Sequence, residues 1–264
     1  MKLADKNYYS RDMAYKYASF SQFKSFCGTG KTKGCEAHAL AVLNNEWEDD
    51  VGDALIEGGY VDAYFEGTLD KFLERNQDRI FNKKGEKYAN YKRCDEAIER
   101  CLRDKLFMQF MDGEKQKIFT YELFGMEWKS KLDVYHKDKL IVDLKYIKNI
   151  RETYYVPDFG RVSWIEYFGY DTQGALYQKA VELNTGKKLP YYIAVVDKGK
   201  YPDIAIIQIP NRVLDNALSL VEYQSKRYKA VKLEGAEPDR CEDCDYCKAT
   251  KILTAPLSLD ELMI

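Results

Sequence analysis

Three strand-like runs follow one another in Ile118-Phe-Thr-Tyr-Glu-Leu-Phe-Gly-Met-Glu-Trp-Lys-Ser-Lys-Leu-Asp-Val-Tyr-His-Lys-Asp-Lys-Leu-Ile-Val-Asp-Leu-Lys145. Each run mixes polar residues with β-branched, aromatic and leucine side chains, which is typical of strands. Breaks at Gly125-Met126-Glu127 and at His136-Lys137-Asp138-Lys139 separate the runs. The stretch therefore predicts a three-stranded antiparallel meander.

The last of these strands presents an acid and an amine together. Side chains alternate between the faces of a strand, so Asp143 and Lys145 point the same way while Leu144 packs on the other side. Asp133 lies in the preceding run, and carboxylates from adjacent strands can hold a divalent cation. Acid-x-Lys triplets also arise by chance when 32% of residues are charged, and the alternative is a solvated strand face. Asp143 lies in an otherwise apolar strand, where an unpaired carboxylate is costly to bury.

Helical and strand patterns alternate along the rest of the chain. The spacing of apolar residues predicts helices over 19–26, 35–43, 53–67, 94–110, 167–183 and 211–231. Two further strands are predicted at 191–196 and 204–209. The order of helices, three strands, helix, two strands and helix predicts an α/β class with a central sheet.

Composition narrows the class of protein. The chain has 264 residues, of which 45% are hydrophobic, so it can build one large core and we expect one domain. No run reaches the roughly 20 apolar residues of a membrane span, and residues 1–7 lack the apolar stretch of a signal peptide. We therefore expect a cytosolic protein. The net charge is −2, but residues 128–149 hold six lysines against three aspartates, which predicts a local basic face.

Seven cysteines in a reducing compartment are expected to be thiols or metal ligands rather than disulfides. Cys241, Cys244 and Cys247 follow one another at Cys-x-x-Cys spacing, which lets their sulfurs converge on one metal centre. Thiolate ligands select zinc or iron-sulfur centres. A fourth thiolate is expected from Cys27 or Cys35. Two other thiols lie in an apolar helical pattern and are expected to be buried: Cys94 and Cys101.

In each of two further pairs, the two residues are four positions apart and therefore share a helical face. Gln173 and Tyr177 offer an amide and a phenol, which suit phosphate or base contacts, although ordinary helix packing is the simpler alternative. Asp62 and Glu66 place two carboxylates on one surface.

The order of these features resembles that of PD-(D/E)xK nucleases of the RecB-like branch. An upstream helix, the hairpin acid Asp133, the strand Val142-Asp143-Leu144-Lys145 and then Gln173-x-x-x-Tyr177 follow the family pattern. From Ser19 to Leu253 the chain is similar to phage and prophage exonucleases related to RecE. The resemblance implies a restriction-endonuclease-like core, in which helices flank a central mixed sheet. It also implies a C-terminal cysteine cluster tied to an N-terminal helix.

The resemblance also implies roles for particular residues. Asp133, Asp143 and the backbone carbonyl of Leu144 would hold Mg²⁺ or Mn²⁺. Lys145 would orient the attacking water or stabilise the phosphate. The helical pair would contact the DNA strand next to the scissile bond: Gln173 and Tyr177. Many relatives use a histidine as the upstream metal ligand, whereas this chain offers two acids: Asp62 and, one turn later, Glu66.

Related nucleases of the AddB and CRISPR-adaptation types hold their ends together with a 4Fe-4S cluster, using one cysteine before the core and three after it. Here Cys35 resembles the upstream ligand, and Cys241, Cys244 and Cys247 resemble the downstream three. The last gap is tighter than in many relatives, so zinc remains the alternative.

These expectations define one nuclease domain over 1–264. Within it, 1–45 carries the N-terminal helices with the first cluster cysteine, 50–232 the nuclease core, 233–254 the three-cysteine segment, and 255–264 a tail. The expected function is metal-dependent exonuclease processing of double-stranded DNA ends for phage-type recombination in the host bacterial cytosol. A single-strand annealing recombinase and a homo-oligomer are further expected associations. Two alternatives are a catalytically inactive DNA-binding or anti-defence protein with the same fold, and a zinc-stapled interaction protein.

Overall fold

The structure is a computed structural model that describes residues 3–29, 32–256, 258 and 259. The strands are β1 (Glu114–Leu123), β2 (Met126–His136), β3 (Leu140–Ile147), β4 (Thr153–Val156), β5 (Gly160–Ser163), β6 (Tyr191–Asp197) and β7 (Ile204–Ile209). The helices are α1 (Arg11–Lys16), α2 (Phe20–Cys27), α3 (Glu36–Asn44), α4 (Asp53–Glu66), α5 (Leu69–Arg75), α6 (Gln77–Ile80), α7 (Ala89–Leu102), α8 (Lys105–Met111), α9 (Trp164–Phe168), α10 (Tyr170–Thr185), α11 (Asn211–Leu233) and α12 (Asp245–Ala249). The predicted tail lies largely outside the described residues.

A five-stranded mixed sheet forms the centre of the fold, in the order β1-β2-β3-β6-β7. The pairs β1–β2, β2–β3 and β6–β7 are antiparallel, which confirms the predicted meander, and β3–β6 is parallel. The helices α9 and α10 lie in the connection between β3 and β6, as a parallel pair requires. The predicted α/β class with a central mixed sheet flanked by helices is confirmed.

Each face of the sheet is covered by a separate hydrophobic core. One core includes Trp128, Leu176 and Tyr228, and joins the sheet to α2, α10 and α11. The other includes Tyr60 and Phe107, and joins the sheet to α4, α7 and α8. Because both faces are covered, β3 and β6 can be apolar along most of their length.

Two predicted helices are interrupted in the structure. The helix expected over 94–110 is divided into α7 and α8, because the Asp104 side chain caps a new helix by accepting a hydrogen bond from the Phe107 N–H at 2.9 Å. The helix expected over 167–183 is divided into α9 and α10 by Gly169, which has a φ of 74°.

The ladder between β2 and β3 is short. Its register pairs Val134 with Val142, Tyr135 with Ile141 and His136 with Leu140. The two strands therefore separate just beyond Val134 and Val142, where Asp133 and Asp143 follow. Within the described part of the chain, no helix combines the length and the apolarity needed to cross a membrane.

Candidate active site and cysteine cluster

Asp143 and Lys145 form a buried ion pair in the middle of the sheet. The Lys145 Nζ lies 2.5 Å from Asp143 Oδ2, and Asp143 has no exposed surface. Among the described residues, no group donates a hydrogen bond of normal geometry to either Asp143 oxygen. Burial raises the pKa of Asp143 to about 7, although the charge of Lys145 acts in the opposite direction. This carboxylate therefore has acceptor capacity that the protein leaves unused.

Asp133 joins the site across the gap between β2 and β3. Its Oδ2 accepts a hydrogen bond from the Leu144 N–H at 2.9 Å. In a strand the N–H and C=O of one residue point toward the same edge, so the Leu144 carbonyl also faces this gap. The gap thus brings together two carboxylates and one backbone carbonyl.

Lys145 remains an ammonium group in this environment. Burial acts to lower its pKa, but the Asp143 and Asp133 carboxylates outweigh burial and hold the pKa above its usual value. The ammonium also lies 4.7 Å from the centre of the Tyr170 ring at the start of α10. A fixed positive charge therefore stands beside the two acids.

Both candidates for the upstream ligand reach the same small cavity. Asp62 and Glu66 on α4 line it together with Asp133 and Leu144. Burial raises the pKa of Asp62 well above its usual value, and the Asp133 carboxylate raises it further. Burial also raises the pKa of Glu66, although the nearby Lys131 opposes this. Asp62 interacts with Asp143 and Lys145 as well, so it lies deeper in the site than Glu66.

The oxygen atoms around this cavity fit a divalent cation. Carboxylate and carbonyl oxygens are the ligands that Mg²⁺ and Mn²⁺ take in proteins. The mutual repulsion of Asp62, Asp133 and Asp143, which Lys145 opposes with a single charge, is relieved by further positive charge. The residues present therefore suit a metal.

Gln173 and Tyr177 lie beneath this site rather than on an open surface. The Gln173 Nε2 donates to the Tyr177 hydroxyl at 2.9 Å, and the two residues are 9% and 8% exposed. Burial raises the pKa of Tyr177 well above its usual value, and Asp143 adds to this effect. The pair thus belongs to the site, but its burial favours support of Asp143 over the direct DNA contact expected from the sequence.

Tyr191 is a neighbour of Asp143 that sequence reasoning missed. It is fully buried on β6, its hydroxyl has no hydrogen-bond partner among the described residues, and its pKa is raised by burial and then by Asp143. The register of β3 and β6 pairs Ile141 with Tyr191, which places Tyr191 on the Asp143 face. Gly174 makes room for the ring, since a Cβ there would lie 2.3 Å from it. The sequence indicates only that side chains alternate along this strand, and it does not show how the strand is aligned with β3.

The predicted basic face over 128–149 is formed only in part: Lys137, Lys139 and Lys148 are exposed, whereas the other three lysines are held by neighbouring groups. Lys129 is 4% exposed, and its ammonium donates to the Tyr8 carbonyl and lies 4.5 Å from the Tyr8 ring centre. Lys131 forms an ion pair with Asp5 at 2.9 Å, and Lys145 is bound to Asp143. The N-terminal segment and the site itself therefore neutralise lysines that sequence alone counted as exposed.

The structure also brings four cysteines together. The Sγ atoms of Cys35, Cys241, Cys244 and Cys247 all lie within 4.8 Å of one another. The distance is 3.6 Å between Cys35 and Cys247, and 3.9 Å between Cys241 and Cys247. Burial acts to raise the pKa of Cys241, but N–H donors from Asp243 and Cys244 lower it to about 6. Thiolates of this kind are metal ligands.

The cysteine group joins a helix near the start of the chain, α3, to a helix near its end, α12. Cys35 is the N-cap of α3 and Cys244 the N-cap of α12. Arg227 on α11 reinforces the junction by an ion pair with Glu36 at 2.5 Å. Of the two candidates for the fourth thiol, Cys35 completes the group and Cys27 lies outside it. The predicted buried thiols are also found outside it, each with 0% exposure: Cys94 and Cys101.

The mixed sheet and the cleft that holds Asp133, Asp143 and Lys145 define the class of PD-(D/E)xK nucleases. The chain belongs to the family described as a PDDEXK-like domain of unknown function (DUF3799), whose model matches residues 19–250. It is also similar to a protein from Eubacterium rectale whose 2.19 Å crystal structure is that of a "Putative exonuclease". The two chains share 45% identity with a TM-score of 0.96, over 99% of this chain and 98% of the other. No curated protein matches the chain.

Proposed function

We propose that the protein is a metal-dependent deoxyribonuclease that degrades double-stranded DNA from its ends. The observation that carries this proposal is the buried Asp143, which lies with Asp62 and Asp133 around a single lysine ammonium, 2.5 Å from Asp143. Three acids around one ammonium group are costly to bury unless a further cation binds them. A metal ion and a positioned ammonium group both promote phosphodiester hydrolysis by stabilising the charge that develops on the phosphate, and this site can provide both.

Asp133, Asp143, the Leu144 carbonyl and Asp62 are the proposed ligands of Mg²⁺ or Mn²⁺. When bound, the ion would offset phosphate charge and lower the pKa of a water molecule. Asp133 keeps the site in shape because its hydrogen bond to the Leu144 N–H fixes the distance between β2 and β3. Glu66 lies farther out on α4 and remains the alternative to Asp62.

Lys145 would orient the attacking water or stabilise the negative charge that develops on the phosphate. Its ammonium is held by Asp143 on one side and by the Tyr170 ring on another, so its position is set before substrate arrives. Gln173 and Tyr177 would support Asp143 from beneath through their hydrogen-bonded pair.

Action on DNA ends rests on two resemblances. One is the likeness to the Eubacterium rectale protein, and the other is the order of motifs shared with exonucleases related to RecE. A role in phage-type recombination in the bacterial cytosol, an annealing partner and a homo-oligomer follow from the second resemblance alone. The alternative is an inactive DNA-binding or anti-defence protein. It is disfavoured because such a protein would not need to keep Asp133, Asp143 and Lys145 together.

Degradation of linear and of covalently closed circular duplex DNA tests the proposal. We expect loss of linear DNA with Mg²⁺ or Mn²⁺, no loss with EDTA, and survival of the circular DNA. Asp143→Ala should abolish the activity, and Lys188→Met, whose ammonium pairs with Asp215 rather than with a site residue, should leave it unchanged. No degradation of linear DNA by the wild-type protein, or full activity of Asp143→Ala, would sink the nuclease proposal.

We propose that the four-cysteine group is a structural metal site, for which two occupants each have support. The resemblance to cluster-bearing nucleases supports a 4Fe-4S cluster. The sulfur spacing supports zinc, since four thiolates about 2.3 Å from one tetrahedral ion lie about 3.8 Å apart. Thiolates of a four-iron cluster are bound to different iron atoms and so lie farther apart.

Anaerobic purification with metal analysis and a visible spectrum distinguishes these occupants. A brown protein with iron and labile sulfide in stoichiometric amounts supports the cluster. A colourless protein with one zinc per chain supports the single ion. A protein with neither metal would contradict both.

A further inference from the structure

Lys24 on α2 approaches the active site from outside the sheet. Its Nζ donates a hydrogen bond to the Phe168 carbonyl at 2.9 Å and lies 5.9 Å from the Phe168 ring centre. Phe168 ends α9, and Tyr170, two residues later, begins α10. The Lys145 ammonium lies against the Tyr170 ring. The two lysines therefore lie against the α9–α10 junction from different elements.

The position of Lys24 is electrostatically unfavourable in the protein alone. Burial lowers the pKa of Lys24, and the positive charge of Lys145 lowers it further. Among the described residues, no carboxylate offsets this lowering of the Lys24 pKa. A partly buried ammonium group that has no carboxylate partner is stabilised when an anion binds beside it.

A polar cavity of about 400 Å³ opens beside Lys24. It extends toward the cysteine group and is lined by Ser25, Thr32, Lys33 and His38 as well as by cluster thiols. Hydroxyl and ammonium donors of this kind bind phosphate oxygens.

Lys24 is also connected to the cysteine group, through the backbone of the residue that follows it. The Cys35 N–H donates to the Ser25 carbonyl at 2.9 Å, and Ser25 is the residue after Lys24. The backbone is tightly packed at this point, since a Cβ on Gly34 would lie 2.5 Å from the Phe26 carbonyl oxygen. A metal that fixes Cys35 thereby fixes the end of α2 that carries Lys24.

We propose that Lys24 is a second phosphate-binding cation of the active site, held in place by the cysteine group, and that it contacts the DNA backbone next to the scissile phosphate. The inference rests on the proposed function, because it assumes that DNA enters the cleft at Lys145. It assigns the cysteine group a role in substrate positioning in addition to stability. The simpler possibility is that Lys24 only caps the last carbonyl of α9.

Binding measurements on Lys24→Gln separate these two roles. Glutamine loses the charge but keeps a donor for the Phe168 carbonyl. All proteins carry Asp143→Asn so that DNA is not degraded, and binding of a linear duplex is measured at several salt concentrations. We expect Lys24→Gln to weaken binding about tenfold and to reduce the slope of log Kd against log salt by about 0.9. Lys24→Arg should restore most of the affinity, and Lys188→Met should bind like the parent.

An unchanged Kd and salt slope in a folded Lys24→Gln protein overturns the inference. Thermal unfolding of each variant checks folding. If Lys24→Gln does not fold, two other binding measurements replace it. One uses Lys24→Arg, and the other uses duplexes in which a single phosphate is replaced by an uncharged methylphosphonate. The arginine variant should then bind within about threefold of the parent, and a variant that folds but loses all binding would overturn the inference.

The outcome is separable from that of the proposed function. If the wild-type protein degrades no DNA and Lys24→Gln still reduces affinity and slope, the nuclease proposal fails and the phosphate contact stands. If linear DNA is degraded and Lys24→Gln binds like the parent, the nuclease proposal stands and this inference fails.

Discussion

The backbone N–H of Leu144 donates to Asp133 Oδ2 at 2.9 Å, so a side chain closes the gap between β2 and β3 where the ladder stops. This contact aligns the acid of one strand with Asp143 on the next. It also leaves the carboxylates of Asp133, Asp143 and Asp62 close enough to repel one another. The site is thus built at some cost to the stability of the metal-free protein.

Divalent cations should therefore stabilise the fold. With saturating Mg²⁺ or Mn²⁺ we expect the thermal midpoint to rise by roughly 3–5 °C, since the ion binds the folded state alone. Asp143→Asn should largely remove this rise while the variant remains folded. Differential scanning fluorimetry with and without EDTA measures the effect. An equal rise in wild type and Asp143→Asn would show that the ion binds elsewhere.

Lys232 should make stability depend on pH in the alkaline range. Burial lowers its pKa to about 7, and its ammonium donates to the Tyr17 carbonyl at 2.8 Å and to Gln22 at 2.9 Å. Between pH 7 and about 10.5 the unfolded chain binds this proton and the folded protein does not, so stability rises with pH. From pH 7 to 9 the wild-type protein should gain about 2 kcal/mol relative to Lys232→Met. Urea unfolding at both pH values measures the difference, and a constant difference would contradict the assignment.

The cysteine group should be needed for metal retention. Cys247→Ser removes a buried ligand, and we expect loss of the bound metal and a fall in stability of several kcal/mol, because metal binding contributes to folding. Cys27→Ser is the matched control, since Cys27 is a neighbouring thiol outside the group. Elemental analysis should find unchanged metal in the control. Full metal content in Cys247→Ser would refute the ligand assignment.

Gly174 should be essential for the packing of Tyr191 beside Asp143. An added Cβ would lie 2.3 Å from the ring, so Gly174→Ala should destabilise the protein by about 2–3 kcal/mol and lower nuclease activity. Gly58→Ala on α4 is the control, because a Cβ there has no neighbour within 4 Å. That control should gain about 1 kcal/mol from helix propensity. Equal stability of the two variants would contradict the packing argument.

Much of the fold could be predicted because strand and helix periods are local. The meander and the common face of Asp143 and Lys145 follow from the alternation of side chains along β2 and β3. The cysteine group could be predicted because three of its ligands are adjacent in sequence. The break at Asp104 was missed because the cap depends on one hydrogen bond within an otherwise continuous helical pattern.

Residues that reach the site through long-range packing could not be predicted. Tyr191 lies beside Asp143 only because β6 pairs in parallel with β3, and Lys24 reaches the α9–α10 junction only because α2 lies against the end of α9. The basic face is smaller than predicted for the same reason. Lys129 and Lys131 are two residues apart, as side chains on one exposed face of a strand would be. The N-terminal segment with Tyr8 and Asp5 covers them.

The central claim is that Asp143 holds the metal on which DNA cleavage depends. The most direct test is the single-turnover rate of cleavage of linear duplex DNA by wild type and by Asp143→Asn in Mg²⁺. The substitution keeps the shape of the side chain and removes its charge. We predict that the rate falls by roughly 1,000-fold or more while the variant stays folded. Rates within tenfold of each other would contradict the account.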